Sequence, residues 1–334
     1  MEKNNNKIIN NNSNYGFTSI QLKILLNIFL IIINFNYQFH KIFIKYNNYI
    51  NVAYSVDKKY YYIAHCSMKS IMINQNNDTY INFYILVSEN ISKENKTIID
   101  KIGEQHNNCK IHYLYIDNKF KKLNPKVWST AVFYRVILQD LLVKEKKILY
   151  LDCDTLIYKD LTKIYNYEFK NKYYLGMLEP KDPFLKMNIS NFINTGVLLI
   201  NMEELRKDKI SKKIIEYLVK NNNKIIFPIN DSLNAICHKK NGYFSPEYVQ
   251  FGFCDQNYID IYIDNLGIKI NKTEVIESYK DPYIYHLIGK WKKPWKGISY
   301  FNKSACIDPF TRFYEIARKT DYYYEILKEF KIKI

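Results

Sequence analysis

One stretch constrains the chain more than any other. A run of apolar and aromatic residues, 148–151, leads directly into Asp152 and Asp154. The pattern predicts a buried strand that ends at the surface, and in an α/β sheet ligands bind beyond the carboxyl ends of the strands. Two such close carboxylates repel each other unless a cation lies between them, and Mn²⁺ or Mg²⁺ suits carboxylate oxygens and substrate phosphates. We therefore weigh a divalent metal site against an ordinary turn after a strand.

Composition limits the class of protein. With 334 residues, of which 47% are hydrophobic, the chain can form a large α/β domain and is not typical of a disordered protein. Its six cysteines show no paired CxxC spacing, which indicates reduced thiols and no zinc site. The net charge of +16 favours anionic partners such as nucleotide phosphates or an anionic membrane surface. No nucleic-acid-binding module is recognisable, so we expect no nucleic acid as a partner.

The chain is expected to have three parts. Residues 1–50 are Asn-rich and contain a marginal hydrophobic segment at 20–39, residues 51–306 form the main domain, and residues 307–334 form a basic, aromatic C-terminal segment. The hydrophobic segment is interpreted either as a single N-terminal anchor or as a buried or interfacial helix, because its length is marginal for a bilayer. We expect a cytoplasmic protein that is peripheral to a membrane.

From residue 51 onward, strands and helices alternate. We predict strands at 51–55, 81–87, 111–116 and 173–178, helices at 60–73, 92–106, from Ser129 onward and at 203–220, and an irregular loop at 179–193. This alternation is typical of a mostly parallel sheet flanked by helices. Arg135 lies off the apolar face of its helix, where it is either solvated or able to reach a phosphate bidentately.

Two later segments carry further polar residues. Residues 228–235 are predicted to form a loop at a helix start, where Asp231 is a candidate N-cap. His286 stands close to Gly289, Lys293 and two tryptophans. A histidine beside a glycine turn and a lysine cluster is a candidate third metal ligand, next to donors for phosphate.

Together these segments resemble glycosyltransferase family 8, which contains bacterial lipooligosaccharide galactosyltransferases and, more distantly, glycogenin. The resemblance covers residues 51–295. It rests on five ordered motifs, which are residues 52–60, Tyr134-Arg135, residues 149–154 with the Asp-x-Asp pair, residues 194–201, and the ending formed by His286, Gly289, Lys293, Pro294 and Trp295. The resemblance implies a nucleotide-diphospho-sugar transferase fold of the GT-A type, an α/β fold with a mixed, mostly parallel sheet flanked by helices.

The resemblance also implies roles for individual residues. The metal ligands would be Asp152, Asp154 and His286. The donor-binding residues would be Ala53, Ser55, Asp57, Arg135, Cys153, Gly289 and Lys293, with Asp57 contacting uracil. The catalytic group would comprise Glu179, Asn194, Asn230 and Asp231, near the donor sugar and the acceptor.

The implied function is that of a retaining, metal-dependent glycosyltransferase of lipopolysaccharide biosynthesis. It would move a hexose, galactose or glucose, from a uridine diphosphate sugar to a saccharide or glycolipid acceptor, with Mn²⁺ or Mg²⁺ as cofactor. Retention requires either a nucleophile on the far face of the sugar, for which Asp231 and Glu179 are the candidates, or front-side attack by the acceptor. The sequence leaves both routes open.

Departures from the family pattern define the alternatives. The family's Asp-Gln-Asp segment appears here as Ile229-Asn230-Asp231, Ile193 replaces a Phe, and Lys59 stands where the family often has Asn. A protein that binds nucleotide-sugar without transferring it is therefore one alternative. A phosphohydrolase with an Asp nucleophile is another, although Thr155 follows Asp154 directly instead of one residue later.

The C-terminal segment allows two interpretations. Its basic residues interleave with aromatic and aliphatic ones from Thr311 onward. One interpretation is a helix packed on the domain with a solvated basic face. The other is a segment that lies on an anionic membrane surface beside a lipid-linked acceptor.

Overall fold

Two sheets form the frame of the molecule, seen in a computed structural model that describes residues 22–32, 46–57, 60–179, 192–222, 224–251, 260, 263–264, 266, 271–289, 293–296 and 308–331. Within these residues the strands are β1 Asn48–Ser55, β2 Thr79–Ser88, β3 Cys109–Ile116, β4 Lys147–Leu151, β5 Thr155–Ile157, β6 Tyr174–Leu178, β7 Ile193–Asn201, β8 Asn241–Tyr243, β9 Val249–Phe251 and β10 Ile284–His286. Seven of them form one sheet in the order β3-β2-β1-β4-β7-β6-β8, and β5, β10 and β9 form the second.

The large sheet is mixed and mostly parallel, as the alternation predicts. Strands β3, β2, β1 and β4 run parallel to one another, β7 is antiparallel to both of its neighbours, and β6 is parallel to β8. Strand β1 lies in the interior, with Val52, Ala53 and Tyr54 fully buried. A strand covered on both faces reads as a continuous apolar run, which is why β1 and β4 are recognisable in the sequence.

Helices alternate with the strands along the chain. In the described part of the chain they are α1 at residues 22–32, α2 Tyr61–Asn74, α3 Lys93–Gln105, α4 Leu138–Leu141, α5 Thr162–Tyr165, α6 Met202–Lys207, α7 Ile210–Asn221, α8 Pro228–Cys237, α9 Lys272–Lys280, α10 Pro309–Arg318 and α11 Tyr323–Glu329. The side chain of Ser92 accepts a hydrogen bond from Asn95 N and so caps the start of α3, within the helix predicted at 92–106.

Three local predictions need correction. The helix predicted from Ser129 is a 3₁₀ helix, Thr130–Ile137, that continues into the short α4. The single helix predicted at 203–220 is two helices, α6 and α7, because the chain turns at Lys209, which has a φ of +52°. The segment predicted as a loop at 228–235 is the first part of α8, with Pro228 at its start, where the missing N–H of proline is tolerated. Most of the loop predicted at 179–193 lies outside the described residues.

The C-terminal helices belong to the compact unit Tyr46–Ile334. Phe313 and Ile316 of α10 are buried, and the rings of Phe313 and Trp295 lie 5.2 Å apart. The ring of Tyr322 packs edge-on against His65 of α2 at 5.1 Å. The apolar side of this segment therefore faces the domain, as the first of the two interpretations expects.

The N-terminal unit is Met1–Lys45, of which the structure describes helix α1. The apolar side chains of α1 are exposed; Leu26, Phe29 and Ile31 retain 61%, 61% and 65% of their surface. The rest of the predicted segment 20–39 lies outside the described residues. No helix within the described ranges is both long and hydrophobic enough to span a bilayer.

Candidate active site

The candidate site lies where the strand order of the large sheet reverses. Strands β2 and β3 follow β1 to one side, whereas β4 lies on its other side and is parallel to it. The carboxyl ends of β1 and β4 therefore border one crevice, which is the usual ligand position in an open α/β sheet. Asp57 follows β1 and Asp152 follows β4. This topology places Asp57, from the predicted motif at 52–60, next to Asp152 of the Asp-x-Asp motif, side by side at one edge of the sheet.

Asp152, Asp154 and His286 form a compact group of candidate metal ligands. Asp152 directly follows β4, Asp154 directly precedes β5, and His286 ends β10. One ligand atom from each residue lies within 4.8 Å of the others. Nε2 of His286 lies 3.2 Å from Oδ1 of Asp154 and 3.7 Å from Oδ2 of Asp152. The predicted approach of the histidine to both carboxylates is confirmed, and the donor set suits Mn²⁺ or Mg²⁺.

Gly196 leaves room beside these ligands. The amide of Asp152 donates to the carbonyl oxygen of Gly196 at 2.7 Å, so β7 passes directly next to the turn. A Cβ atom at Gly196 would overlap the imidazole of His286 and would stand 2.7 Å from Oδ2 of Asp152. A glycine at this position therefore keeps the space between the ligands free of side-chain atoms. Donor chemistry and available space together fit a divalent cation.

Arg135 is buried against the first carboxylate. Its Nη2 lies 2.7 Å from Oδ1 of Asp152, and its Nη1 donates to the carbonyl oxygen of Thr195 at 2.5 Å. The guanidinium also lies over the ring of Tyr150, 4.2 Å from the centroid, while the Tyr150 hydroxyl donates to Oδ1 of Asp152 at 3.0 Å. Arg135 is only 7% exposed. The interpretation of a solvated arginine is therefore wrong, because its charge is held by the carboxylate, a carbonyl and an aromatic face.

Lys293 pairs with the second carboxylate. Its Nζ contacts Oδ2 of Asp154 and donates to the carbonyl oxygen of Leu287. Burial by itself raises the pKa of Asp154, but the charges of Lys293 and His286 outweigh it and hold that pKa below its usual value. Asp154 is therefore an anion at neutral pH, as a ligand for a cation must be.

A pocket opens beside Asp57 at the end of β1. Its walls come from the β1 end, α2, the β2–α3 connection and the 3₁₀ helix, and they include Val56, Asp57, Tyr61, Asn90, Ile91 and Tyr134. Apolar and aromatic side chains thus lie beside amide and carboxylate groups. Such a combination accepts a flat heterocycle with hydrogen-bonding edges.

The other predicted donor residues occupy different positions around this crevice. Ala53 is fully buried inside β1, whereas Ser55 ends that strand. Cys153 is buried, and its Sγ donates to the carbonyl oxygen of Ser55 at 3.3 Å, so its side chain ties the turn to β1. Gly289 has a φ of +91°, a conformation that side-chain-bearing residues rarely adopt.

Glu179, Asn194 and Asn230 meet on the side of the crevice formed by β7 and α8. Oε2 of Glu179 accepts from Nδ2 of Asn230 at 2.8 Å and from Nδ2 of Asn194 at 3.4 Å. Oδ1 of Asn230 accepts from the hydroxyl and the amide of Thr195, and Arg135 donates to the Thr195 carbonyl. Hydrogen bonds therefore connect this cluster to the arginine that holds Asp152. Three of the four predicted catalytic residues are brought together.

Asp231 differs from the other three. It is fully buried, and its Oδ2 accepts from the amides of Ile226 and Phe227 at 3.0 and 2.9 Å. The residue lies inside the first turns of α8 and does not cap the helix, since the N-cap residue is Phe227. Its carboxylate stabilises the entry into α8 through these two backbone amides.

Three further residues support the site and were not predicted from the sequence, namely Tyr150, Thr195 and Asn234. Asn234 binds both backbone groups of Ile193, with 2.9 Å from Ile193 N to its Oδ1 and 2.9 Å from its Nδ2 to Ile193 O. These two hydrogen bonds hold α8 against β7. In the sequence, these residues could have been recognised as polar residues within otherwise apolar, buried segments. A buried polar side chain requires a hydrogen-bonding partner.

Comparisons with known proteins agree with this geometry. The sequence model of glycosyl transferase family 8 matches residues 51–299, about three quarters of the chain. A putative glycosyltransferase of Haemophilus influenzae is 30% identical over 203 residues, which are 57% of this chain and 60% of that relative. A lipopolysaccharide 1,2-glucosyltransferase of Escherichia coli is 23% identical over 275 residues, covering 75% of this chain and 80% of the relative.

Solved structures show the same architecture. The galactosyltransferase LgtC, solved with donor and acceptor sugar analogues, superposes with a TM-score of 0.68 at 17% identity, covering 83% of this chain and all of that one. The bifunctional glycosyltransferase WbbM superposes with a TM-score of 0.67 at 16% identity, over 85% of this chain and 52% of that one. The predicted GT-A fold is confirmed, and the chain is a member of glycosyl transferase family 8.

Proposed function

We propose that the protein transfers a hexose, galactose or glucose, from a uridine diphosphate sugar to a saccharide or glycolipid acceptor, with retention at the anomeric carbon. The observation that carries the proposal is the meeting of Asp152, Asp154 and His286 within 4.8 Å at the crevice between β1 and β4. This geometry supports a divalent cation, Mn²⁺ or Mg²⁺, beside a nucleotide pocket. The relatives named above are glycosyltransferases, which supports the reaction class.

The three ligands would hold the cation. When bound, a divalent ion neutralises charge on a leaving diphosphate and thereby lowers the barrier to its departure. The carboxylate of Asp152 is oriented by Arg135 and by the Tyr150 hydroxyl, so one of its oxygens is directed before any ligand arrives. Preorganised charges of this type need little rearrangement during the reaction.

The donor nucleotide would enter the pocket beside Asp57. The carboxylate of Asp57 can accept hydrogen bonds from the base, and the rings of Tyr61 and Tyr134 supply apolar walls. Lys293 contacts the carboxylate of Asp154, and its ammonium group can bind phosphate oxygens as a point charge. The donor would thus be held at its base and at its phosphates by side chains from separate elements.

The transferred sugar would lie against the cluster of Glu179, Asn194 and Asn230. Glu179 is half-buried, and its carboxylate is held by two amides, which favours it over the fully buried Asp231 as a group that touches the sugar. Both routes to retention remain compatible with this placement. In one, Glu179 attacks the anomeric carbon; in the other, it stabilises positive charge on the sugar while the acceptor attacks from the front.

The acceptor would approach beyond Asn230, over an exposed aromatic pair. Phe227 precedes α8 by one residue, three positions before Asn230, and its ring lies 5.8 Å from that of Trp128. Both rings are partly exposed, at 37% and 42%, and Ile226 beside them is 50% exposed. Aromatic faces bind the apolar face of a sugar ring, so this surface suits a saccharide next to the transfer site.

An anionic membrane surface is part of the proposal as the location of a glycolipid acceptor. The net charge of +16 supports it. The exposed side of α10 and α11 adds little support for binding to an anionic membrane, because the basic residues there are interspersed with acidic ones. These exposed residues are Arg318, Lys319, Lys328 and Lys331, together with Glu315, Asp321, Glu325 and Glu329.

One observation favours the alternative of a nucleotide-sugar-binding protein without turnover. Ile229 is 5% exposed and packs in the core, so no carboxylate is available at that position of the family motif. Glu179 and Asn230 would then orient a sugar that is not transferred. Hydrolysis of a uridine diphosphate sugar distinguishes the two functions, since slow transfer to water reports chemistry without an acceptor.

The experiment measures release of uridine diphosphate from the galactose and glucose donors with Mn²⁺, with Mg²⁺ and with excess chelator. Metal-dependent release that disappears in Asp152→Ala is expected, because half of the protein carboxylate ligation is lost. Binding of the donor without release would establish the alternative. Full release in excess chelator would contradict the metal requirement.

A further inference from the structure

Three buried hydroxyl groups form a chain beneath the Asp-x-Asp turn. Tyr54 lies on β1, Ser67 on α2 and Thr155 on β5, and each of these residues is at most 1% exposed. The Tyr54 and Ser67 oxygens are 2.9 Å apart, as are those of Ser67 and Thr155. The Thr155 hydroxyl lies 2.9 Å from the carbonyl oxygen of Asp152. Three separate elements therefore meet directly behind two candidate metal ligands.

The direction of each hydrogen bond between these hydroxyl groups follows from the last acceptor, the carbonyl oxygen of Asp152. The carbonyl oxygen of Asp152 can only accept, so the Thr155 hydroxyl donates to it. Because a hydroxyl has one proton, Thr155 must then accept from Ser67, and Ser67 must accept from Tyr54. Burial raises the pKa of the Tyr54 phenol, so the first donor keeps its proton. Aligned hydrogen bonds in a buried setting polarise and strengthen one another.

Thr155 connects this chain to all three ligands. It follows Asp154 directly, and its side chain holds the backbone of Asp152. In the antiparallel pair of β5 and β10 it lies opposite His286, and the next amide, Leu287 N, donates to the carbonyl oxygen of Asp154 at 2.9 Å. A shift of Thr155 would therefore change the spacing of both carboxylates and of the imidazole.

We propose that Tyr54, Ser67 and Thr155 are positioning residues of the metal centre. Their ordered hydrogen bonds set the turn that presents Asp152 and Asp154 to the cation, although none of the three touches the cation itself. This role rests on the metal site of the proposed function. It predicts that loss of one hydroxyl weakens cation binding through geometry, with every ligand still present.

Ser70 provides a matched control within the same helix. It is fully buried, like Ser67, and lies one turn further along α2. Its hydroxyl donates to the carbonyl oxygen of Ser67 at 2.6 Å and accepts from Ile157 N at 3.0 Å. Ser70 thus supports the far end of β5 but does not hold the Asp-x-Asp turn. A Ser70→Ala variant loses comparable packing and hydrogen bonding without losing the positioning contact.

The test titrates Mn²⁺ into the full chain and follows free Mn²⁺ by electron paramagnetic resonance. Partners that orient metal ligands typically change affinity roughly 10- to 100-fold when removed, so this loss is expected for Thr155→Val and Ser67→Ala. Thr155→Ser keeps the donor and should restore binding to near the wild-type value. Ser70→Ala should lower the melting temperature as Ser67→Ala does, while leaving the Mn²⁺ affinity unchanged.

Hydrogen exchange supplies a second readout that needs no metal. In Thr155→Val, the amides of the peptide at 150–157 should exchange faster than in wild type or in Ser70→Ala, because the turn has lost its anchor. If Thr155→Val binds Mn²⁺ like wild type, or if Ser70→Ala weakens binding as much, the positioning role is overturned. If wild type itself binds no Mn²⁺, the metal assignment of the proposed function fails, and unchanged exchange in Thr155→Val would overturn the positioning of the turn as well.

Discussion

The buried guanidinium of Arg135 and the partly exposed carboxylate of Asp152 form an ion pair, with 2.7 Å between Nη2 and Oδ1. A second nitrogen of the same guanidinium binds the carbonyl oxygen of Thr195 at 2.5 Å. One arginine thereby connects the end of β4, which carries a candidate metal ligand, to the strand that carries the Asn194 cluster. Removing the carboxylate would leave the charge of the buried guanidinium uncompensated, which is destabilising.

The first prediction concerns this pair. Arg135→Lys keeps the charge but replaces the planar guanidinium, which has several N–H groups, with a single ammonium group. Lysine therefore cannot bind Asp152 and the Thr195 carbonyl together. We expect metal affinity and donor hydrolysis to fall roughly 10- to 100-fold, since the partner of a ligand is lost. Isothermal titration with Mn²⁺ and steady-state hydrolysis check this. As a control, Lys163→Arg changes an exposed ion pair with Glu247 and should alter neither quantity.

The second prediction uses Gly196. Gly196→Ala places a methyl group against His286 and 2.7 Å from Oδ2 of Asp152. We expect loss of Mn²⁺ binding in a protein that still folds. Gly103→Ala is the matched control, because its Cβ would meet only Ile111 Cγ1 at an ordinary 3.4 Å and alanine favours the helix by about 1 kcal/mol. Unimpaired Mn²⁺ binding by Gly196→Ala would show that the cation does not occupy this space.

The third prediction separates Asn230 from Asn234, one helical turn apart on α8. Asn230→Ala removes the amide that holds Glu179, so transfer should fall while Mn²⁺ affinity stays within about threefold of wild type. Asn234→Ala removes both hydrogen bonds to the Ile193 backbone in a fully buried setting. Leaving those groups unpaired costs about 1–3 kcal/mol each, so this variant should lose stability. Equal losses of transfer and stability in both variants would contradict the distinction.

The fourth prediction is a pH dependence of stability at His65. Burial lowers the pKa of His65 to about 4, against 6.5 for an unperturbed group. Between these values the unfolded chain binds more protons, so stability is present above about pH 6.5 and declines as the pH falls towards 4. At pH 5 this group should reduce the free energy of unfolding by about 2 kcal/mol relative to pH 7.5. Urea unfolding at the two pH values measures it.

His65→Gln supplies the comparison for that measurement. Glutamine does not titrate, and its amide can still donate to the Ile98 carbonyl that Nδ1 of His65 contacts at 2.7 Å. Burial also lowers the pKa values of His106 and His112, but both titrate equally in the two proteins and cancel in the difference. An identical pH dependence in His65→Gln and wild type would contradict the prediction.

The fifth prediction addresses the acceptor side. Trp128→Ala and Phe227→Ala should raise the KM for a saccharide acceptor roughly two- to tenfold, since stacking on an aromatic face typically contributes about 0.5–1.5 kcal/mol. Donor hydrolysis should stay unchanged, because neither ring lines the pocket beside Asp57. Tyr324→Ala is the control, as this ring is 74% exposed on α11. Equal KM values in all three variants would place the acceptor elsewhere.

Much of the fold could be predicted from the sequence because local patterns correspond to local structure. Apolar runs such as 148–151 mark strands buried on both faces, and the alternation with amphipathic segments predicts a parallel sheet covered by helices. The Asp-x-Asp pair and His286 were identified from residue type and motif order, and their proximity is confirmed. The turn at Lys209 and the helical start at Pro228 were missed, because single-residue backbone changes leave little periodicity to read.

Local sequence patterns establish the order of elements, the apolar cores of the strands and the carboxylates at a strand end. Which side chains share the crevice depends on how distant elements pack together. Arg135 reads as a surface residue on its own helix, yet it is buried on Asp152, because the 3₁₀ helix packs against β1 and β2 and the side chain of Arg135 reaches Thr195 of β7. Tyr54, Ser67 and Thr155 are separated by 13 and 88 residues along the chain and meet through packing alone. The physical reason is that partners of buried polar groups are selected by contacts between distant elements, which no local period encodes.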